Sequence, residues 1–512
     1  MTTRLTTAQL DRAAGVLLGM ACGDALGAPF EFGPPLGPDV PVAMTGGGSL
    51  GWTPGEWTDD TSMAIAIAEA AATGVDLRGE SARDQIAARW AGWAGGAKDV
   101  GAQTRAVLSA ATRAARSRGE AQPTATDLQL AADAHHARTG RSGGNGSLMR
   151  TAPIALAYLD DPDTMVDAAY EISAMTHHDP EAGEACALWC LAIRYAVLHG
   201  NLDGLRRGLE DMPDSRSSIW ATRLDEAQAG RPAHFDRNGW VVQALQGAWS
   251  AVTTTAITNN TAISNAVPAD HESSSSTAGP AHFRRALEAA VRGGRDTDTV
   301  AAIAGALVGG LYGASAVPAQ WRRKLHGWPG LRARDLVSLG VMTARGGESG
   351  SAGWPLGAWV DYSTYQGRGA LARHPADEGV WLGGVDALGS LPDRVDAVVS
   401  LCRLGAAQVP APGVAAGDHV EVWLIDEPGP SKNPNLDFVL ADAAAAVAAL
   451  RAEGKTVLLH CVQAQSRTPA VAALYGARLT GRTPTEALAD IAHVLPDVNP
   501  NRGLRAALER LE

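Results

Sequence analysis

Basic charge is in short supply in this chain: 43 Lys and Arg face 55 Asp and Glu, a net charge of −12 at pH 7. That balance argues against a general nucleic-acid or membrane-surface binder, though it leaves room for a local basic pocket around a phosphorylated ligand. Cysteine is equally scarce. Five Cys in 512 residues, an odd number without a short repeated spacing, predict reduced thiols and a cytoplasmic location. Cys186 and Cys190 lie one helical turn apart in "EACALWCLAIRYAV" without other soft ligands nearby, and read as core residues. The N-terminal "MTTRLTTAQLDRAAG" lacks the charged-then-apolar order of a signal peptide. The long uncharged run at residues 300–317 holds four Gly and several Ala, so it predicts a buried helix and no membrane partner. No repeat of solenoid length is visible.

What is present is length, Ala and Gly. A chain of 512 residues with 58 Gly is too long for one ordinary core, and two or three domains are expected. From Thr7 to about Leu339 the pattern is helical, with Gly, Pro and Asp at the breaks. Residues 253–281 form a polar low-complexity stretch inside it, read as a loop insertion. Residues 344–357, "ARGGESGSAGWPLG", resemble a linker. Beyond them "DAVVSLC" (396–402), "VEVWLID" (420–426) and "TVLLHC" (456–461) are short β-branched runs alternating with helical ones. The expected organisation is an all-α domain over residues 1–343, a linker over 344–375, and a small α/β domain over 376–512.

Two stretches share one unusual donor set. "GEWTDDTSMAIAIAEA" carries Thr58, Asp59 and Asp60 at the start of an apolar helical run. "GGRDTDTVAAIAGALVGG" carries Asp296, Asp298 and Thr299 at the start of another. Each reads on its own as a helix cap, because carboxylates and hydroxyls satisfy free N–H groups and oppose the dipole. If the two starts meet, however, four carboxylates converge and repel unless cations neutralise them. All the donors are hard oxygens, with no His or thiolate nearby to favour zinc. The set therefore suits one or two Mg²⁺ or Mn²⁺ ions.

Five ordered blocks carry a family resemblance: "GVLLGMACGDALGAPFEF" (15–32), "WTDDTSMA" (57–64), "GGNGSLMRTAPIAL" (143–156), "MTHHDP" (175–180) and "GGRDTDTVAAIAGALVGGLYGASAVPAQW" (293–321). Over about residues 8–340 the chain resembles the ADP-ribosylglycohydrolase family, which includes the dinitrogenase reductase activating glycohydrolases. The resemblance implies an all-helical fold with a binuclear Mg²⁺ or Mn²⁺ centre. Thr58, Asp59 and Asp60 would ligate from one side, and Asp296, Asp298 and Thr299 from the other. It further implies a catalytic carboxylate at Glu31, with Asp59 and Asp298 also acting in catalysis. Ser142, Gly144, Asn145 and His177 are implied as contacts to ADP-ribose. A glycine-rich loop has a physical use there, since backbone N–H groups can approach a pyrophosphate unobstructed. For Glu31 a plain surface position, and for His177 a structural role, stay open.

"KTVLLHCVQAQSRTPAVAALYGARLTG" (455–481) reads strand, loop, helix, with Cys461, then five residues, then Arg467 and Thr468. A helix start can hold an anion and favour a thiolate, Arg467 offers a fork for phosphate oxygens, and Thr468 can hydrogen-bond the sulfur. This stretch resembles the cysteine-dependent protein phosphatases, in particular the compact dual-specificity group. The resemblance implies a phosphocysteine intermediate and a general acid, for which Asp426, 35 positions before Cys461, and its neighbour Glu427 are the candidates. The third residue after the cysteine departs from that family's usual Gly and is Ala464. If the position needs a left-handed backbone, Ala costs on the order of 1 kcal/mol.

The expected function is metal-dependent removal of ADP-ribose from a modified protein or another ADP-ribosylated acceptor, with a second activity on a phosphorylated substrate. The rival reading is a phosphatase or phosphate-binding protein whose helical part binds ADP-ribose without cleaving it. All six candidate metal ligands are present, which favours the enzyme.

Overall fold

The computed structural model describes residues 4–256, 278–347, 355, 357–365, 370–495 and 497–512. Most of the expected insertion at 253–281 and part of the expected linker at 344–375 lie outside these residues. The chain divides into two compact units. Of the described residues, the first unit takes 4–256, 281–317 and 324–347, and the second takes 278–280, 318–323 and 355 onward.

The first unit is built on one helix pair. Thr6 opens the helix Thr7–Gly27 with a capping box: its hydroxyl accepts from Gln9 N while the Gln9 side chain accepts from Thr6 N. The apolar span Thr7–Phe30 is long enough to cross a membrane, yet 89% of its most apolar window is buried inside the protein. It runs antiparallel to the buried helix Thr297–Tyr312, and glycines set the spacing. A Cβ on Gly15 would lie 2.3 Å from Gly309 O, on Gly19 2.3 Å from Gly305 O, and on Gly23 1.9 Å from Ala301 O. One turn further, a Cβ on Gly27 would lie 2.4 Å from Asp298 Cα. The two backbones touch at four positions spaced a turn apart, and the contact ends where the Asp296–Thr299 cluster begins. The flanks of the pair are apolar and fully buried, including Leu17, Leu18, Val300 and Ile303, each contributing roughly 1.5–3 kcal/mol by leaving water.

A short antiparallel ribbon, His326–Gly327 with Leu331–Arg332, interrupts the helical pattern. It braces the approach to the helix Asp59–Ala71, because Trp57 N donates to His326 O (3.1 Å) and Trp57 Nε1 to Trp328 O (3.2 Å). The bare face of Gly327 admits the indole; a Cβ there would lie 2.4 Å from Nε1.

The second unit holds a five-stranded sheet in the order Ala372–His374, Asp377–Gly383, Val457–His460, Ala397–Ser400, His419–Glu421. Only the edge strand Ala372–His374 is antiparallel. The central strand Val457–His460 is buried at every position, which explains its unbroken apolar run. Of "VEVWLID" only the first two residues pair, within His419–Glu421; the ladder closes with Val422 N on Ser400 O (2.9 Å). The chain then leaves the strand and runs through residues 423–425 to Asp426. The strand Asp377–Gly383 was not expected, since its Asp, Glu and Gly dilute the apolar alternation. The helix Ala319–Lys324 packs in this unit: Ala319 N donates to Asp442 (2.9 Å) and Arg323 Nε to Gly417 O (2.8 Å).

Candidate active site

The helix starts at Thr58 and Asp296 do not spend their side chains on capping. Thr58 and Asp296 occupy the N-cap positions of their helices, but neither makes a side-chain capping bond. At the first start the work is done from another helix. Asp24 Oδ1 accepts from Thr58 N (2.8 Å), and Asp24 Oδ2 accepts from Thr61 N (3.0 Å) and Thr61 Oγ1 (2.6 Å). Thr58 Oγ1 instead donates to Asp60 Oδ2 (3.0 Å). At the second start Thr297 Oγ1 donates to Gly27 O (2.8 Å), tying it to the end of the first helix.

The carboxylates released from capping converge. Oxygens of Asp24, Asp60 and Asp298 lie within 4.8 Å of one another, and so do those of Glu31, Asp296 and Asp298. Asp298 is common to both groups. Glu31 is brought in by a short bridge, with Phe32 N on Arg295 O (2.7 Å) and Arg295 N on Gly33 O (2.8 Å). Phe32 and Arg295 both adopt left-handed backbone, φ +65° and +66°, so local strain sits beside the cluster. Asn145 Nδ2 donates to Asp296 Oδ2 (2.7 Å). Asp59 belongs to neither group; its Oδ2 accepts from Gly101 N (3.3 Å).

Electrostatics show what this arrangement lacks. Burial and the charges of Asp296, Asp99 and Asp59 push the Glu31 carboxyl up to about 9. Burial, then Asp99 and Asp24, push Asp59 up to about 7. Asp60 and Asp298 are driven well above the carboxylate range by burial and by their acidic neighbours. Asp296 is raised by burial, with Asn145 pulling the other way. Asp60 Oδ1 and Glu31 Oε2 are buried without a hydrogen-bond partner. Orphaned acceptors among mutually repelling hard oxygens fit one or two divalent cations of the Mg²⁺ or Mn²⁺ type. Asp60, Asp298, Asp296 and Glu31 have the free oxygens to hold them, with the Thr58 and Thr299 hydroxyls alongside. Asp24 already accepts three bonds and acts as the brace of the Thr58–Asp60 turn.

The second unit assembles a separate constellation at the end of the strand Val457–His460. Cys461 is 2% exposed. The loop after it passes through Ala464 at φ +60°, the left-handed backbone that glycine adopts freely. Arg467, the first residue of the helix Arg467–Thr480, anchors one side of its fork by donating Nη1 to Leu401 O (2.6 Å) and Leu424 O (3.2 Å). Its Nε lies 3.6 Å from Asp426 Oδ2 and makes no hydrogen bond. Asp426 faces the loop, its Oδ1 accepting from Ser466 Oγ (2.6 Å) and Asn501 Nδ2 (2.8 Å). Glu427 instead pairs with Lys432 at 3.4 Å. The Thr468 hydroxyl is fully buried and makes no hydrogen bond, so it is not on the Cys461 sulfur as the sequence suggested. Behind the cysteine runs a closed polar chain. Ala411 N donates to His419 Nδ1 (3.0 Å), Ser400 Oγ bridges His419 Nε2 (2.8 Å) and His460 Nε2 (2.6 Å), and His460 Nδ1 reaches Cys461 O (3.1 Å). Burial pushes His460 down to about 4, keeping it neutral.

The ADP-ribosylglycohydrolase family profile matches residues 5–348, a span that contains every carboxylate of the first site. The chain belongs to the ADP-ribosylglycohydrolase family. The ADP-ribosylarginine hydrolase Tri1 of Pseudomonas putida (strain GB-1) is 30% identical over 325 residues, 62% of this chain and 74% of that protein. The ADP-ribosyl-[dinitrogen reductase] glycohydrolase of Rhodospirillum rubrum is 28% identical over 329 residues, 62% of this chain and 90% of that one. Among solved structures, human DUSP28 is 25% identical, covers 28% of this chain and 92% of its own, and aligns with a TM-score of 0.24.

In this glycohydrolase-family chain the glycine loop serves the protein's own side chains as well as any ligand. Ser142 is buried with its hydroxyl on His136 Nδ1 (2.7 Å). Asn145 N donates to Gly239 O (3.1 Å), so that amide is not open to a phosphate, and its side chain holds Asp296. Gly144 has an ordinary φ of −63°; a Cβ there would lie 3.2 Å from Gln103 Oε1 and 3.4 Å from His177 Nε2. Two acidic residues escaped the sequence reading. Asp24 hides in the apolar first helix, signalled only by glycines at 15, 19, 23 and 27. Asp99 lies in a loop without a motif, yet its charge acts on Glu31 and Asp59.

Proposed function

We propose that the first unit cleaves the bond between ADP-ribose and an arginine side chain of a modified protein, with Mg²⁺ or Mn²⁺ held by Asp60, Asp296, Asp298 and Glu31. The observation that carries this reading is that the N-cap residues Thr58 and Asp296 make no side-chain cap bond, while the oxygens of Asp60, Asp296, Asp298 and Glu31 gather with two of them, Asp60 Oδ1 and Glu31 Oε2, left without a hydrogen bond. The choice of arginine is supported by the relative named ADP-ribosylarginine hydrolase. Bound cations would orient the ribose hydroxyls and acidify a water. The chain supplies the rest. Glu31 Oε2 is free to take a proton from the attacking water as its oxygen bonds C1″ and the C1″–N bond breaks. The bonding pair stays on the departing guanidine nitrogen, which then takes the proton that Glu31 removed from the water. Asn145 and Asp24 hold Asp296 and the Thr58 turn in place. The test is to offer ADP-ribosyl-arginine, ADP-ribosyl-serine and ADP-ribosylated nucleic acid in parallel. Release of ADP-ribose is expected to be fastest from arginine; release from serine or nucleic acid alone contradicts the choice of acceptor.

A second reading concerns the other unit, favoured by the buried, unpartnered Arg467 Nε and Thr468 Oγ1 around Cys461. We infer a cysteine-dependent phosphatase. The Cys461 thiolate attacks phosphorus, the bond to the leaving oxygen breaks, and Asp426 protonates that oxygen. Water then displaces the sulfur while Asp426 takes its proton, and inorganic phosphate leaves. The wild type is expected to hydrolyse p-nitrophenyl phosphate and Cys461→Ser to lose that activity. Full activity in Cys461→Ser rules out the covalent route, and phosphate binding without turnover by the wild type makes this unit a phosphate-binding module.

A further inference from the structure

Arg150 closes the turn Asn145–Arg150 and is 1% exposed, yet among the described residues it makes no ion pair with a carboxylate. Its guanidinium stacks on Trp90, 3.9 Å from the ring centroid. Its best hydrogen bond runs from Nη2 to Thr176 Oγ1 at 2.6 Å; weaker ones reach Ile172 O (3.4 Å) and Met63 Sδ (3.8 Å). Burying a cation this deeply is expensive, and charge pairing does not explain the position.

Proton counting does. We propose that Arg150 and Thr176 are positioning residues that fix the tautomer of His177, so that a neutral imidazole presents Nε2–H to the ADP-ribosyl group. A guanidinium only donates, so the Thr176 oxygen must accept from it. The hydroxyl proton then has one acceptor within reach, His177 Nδ1 at 2.7 Å. Nδ1 is therefore bare, and the ring proton sits on Nε2. Burial, followed by the Arg150 charge, holds His177 well below its ordinary range, so the ring does not take a second proton. On its far side the ring meets Gly144 and Gly146, where added Cβ atoms would lie 3.4 and 3.3 Å from Nε2. Gln103 Nε2 locks the parts in register by donating to both Ser142 O and Thr176 O at 3.0 Å. A neutral residue at 150 would let the Thr176 oxygen accept from Nδ1–H instead, and the donor facing the glycine loop would be lost.

This assignment rests on the ADP-ribose reading for the identity of the ligand, but the tautomer is measurable without one. With ¹⁵N-labelled histidine, the ligand-free wild type is expected to show His177 with a pyrrole-like Nε2 and a pyridine-like Nδ1. Thr176→Val is expected to mix the tautomers and weaken ADP-ribose binding by about tenfold, the worth of one neutral hydrogen bond. Thr176→Ser, which keeps the hydroxyl, is expected to retain both properties. Arg150→Met is expected to shift the tautomer as Thr176→Val does; if it does not fold, the threonine pair carries the test. A wild-type His177 protonated on Nδ1, or a Thr176→Val protein with unchanged tautomer and affinity, overturns the proposal. Failure of the wild type to bind ADP-ribose counts against the ligand assignment alone.

Discussion

Ala464 holds φ +60° in the loop after Cys461 while 1% exposed. Left-handed backbone costs an L-residue with a Cβ about 1–2 kcal/mol, partly offset because glycine gains entropy on unfolding. Ala464→Gly is therefore expected to stabilise the second unit by about 0.5–1 kcal/mol, read as a higher urea midpoint. An unchanged or lower midpoint means the loop is not strained at that residue. The sequence raised this question, because Ala464 stood where a glycine was expected, but φ could be seen only in the fold. A buried histidine gives a pH signature in the first unit. His282 lies between Tyr312 OH (2.6 Å) and Val252 O (2.8 Å), and burial, with a smaller push from Arg285, lowers it from 6.5 to about 4. Between those values the unfolded chain takes up a proton that the folded chain refuses. Stability should therefore fall as pH drops from 6.5 to 4, by up to roughly 3 kcal/mol. His282→Gln cannot titrate and should lose less between pH 7 and pH 4.5 in urea unfolding; equal losses in the two proteins contradict the assignment.

The helix pair Thr7–Gly27 and Thr297–Tyr312 joins fold and site. Its glycine contacts end at Gly27 against Asp298, so the register of two backbones decides where a carboxylate stands. Gly23→Ala puts a Cβ 1.9 Å from Ala301 O, where the neighbour is backbone and cannot turn away. A loss of about 3 kcal/mol or more is expected, together with weakened metal binding; a variant as stable as wild type would show that the pair can slide apart at no cost. The brace is tested separately. Asp24→Asn keeps the size of the side chain but places an amide where Thr58 N or Thr61 N must donate. Mn²⁺ affinity is expected to fall by about 10–100-fold, followed by calorimetry, and unchanged affinity removes Asp24 from the site. These elements were legible to different degrees. The hydroxyl–carboxylate clusters could be read because two short patterns match, at Thr58–Asp60 and at Asp296–Thr299. The brace could not, because Asp24 is 34 residues from Thr58 and sits on a fully buried face. The family resemblance implied Asn145 as a contact to ADP-ribose; its bond to Asp296, 151 residues away, was not legible in the sequence. Local pattern shows donors; which donors meet is set by packing.

Each of the two compact units has its own buried polar atoms without a hydrogen bond: Asp60 Oδ1 and Glu31 Oε2 in one, Arg467 Nε and Thr468 Oγ1 in the other. Alternation of strand and helix after residue 376 identified the second unit, although the strand Asp377–Gly383 and the early end of His419–Glu421 were hidden by polar residues and by the edge of the sheet. If the two sites work separately, Cys461→Ser leaves ADP-ribose release intact and Asp298→Ala leaves phosphate release intact. The most direct measurement is release of ADP-ribose from an ADP-ribosyl-arginine protein, by wild type and by Asp298→Ala, with Mg²⁺ or Mn²⁺ and again after chelation. Release is expected from the wild type with metal only, and Asp298→Ala, though folded, is expected to lose at least about a hundredfold. Undiminished release by Asp298→Ala, or by the wild type stripped of metal, contradicts the two-cluster metal site.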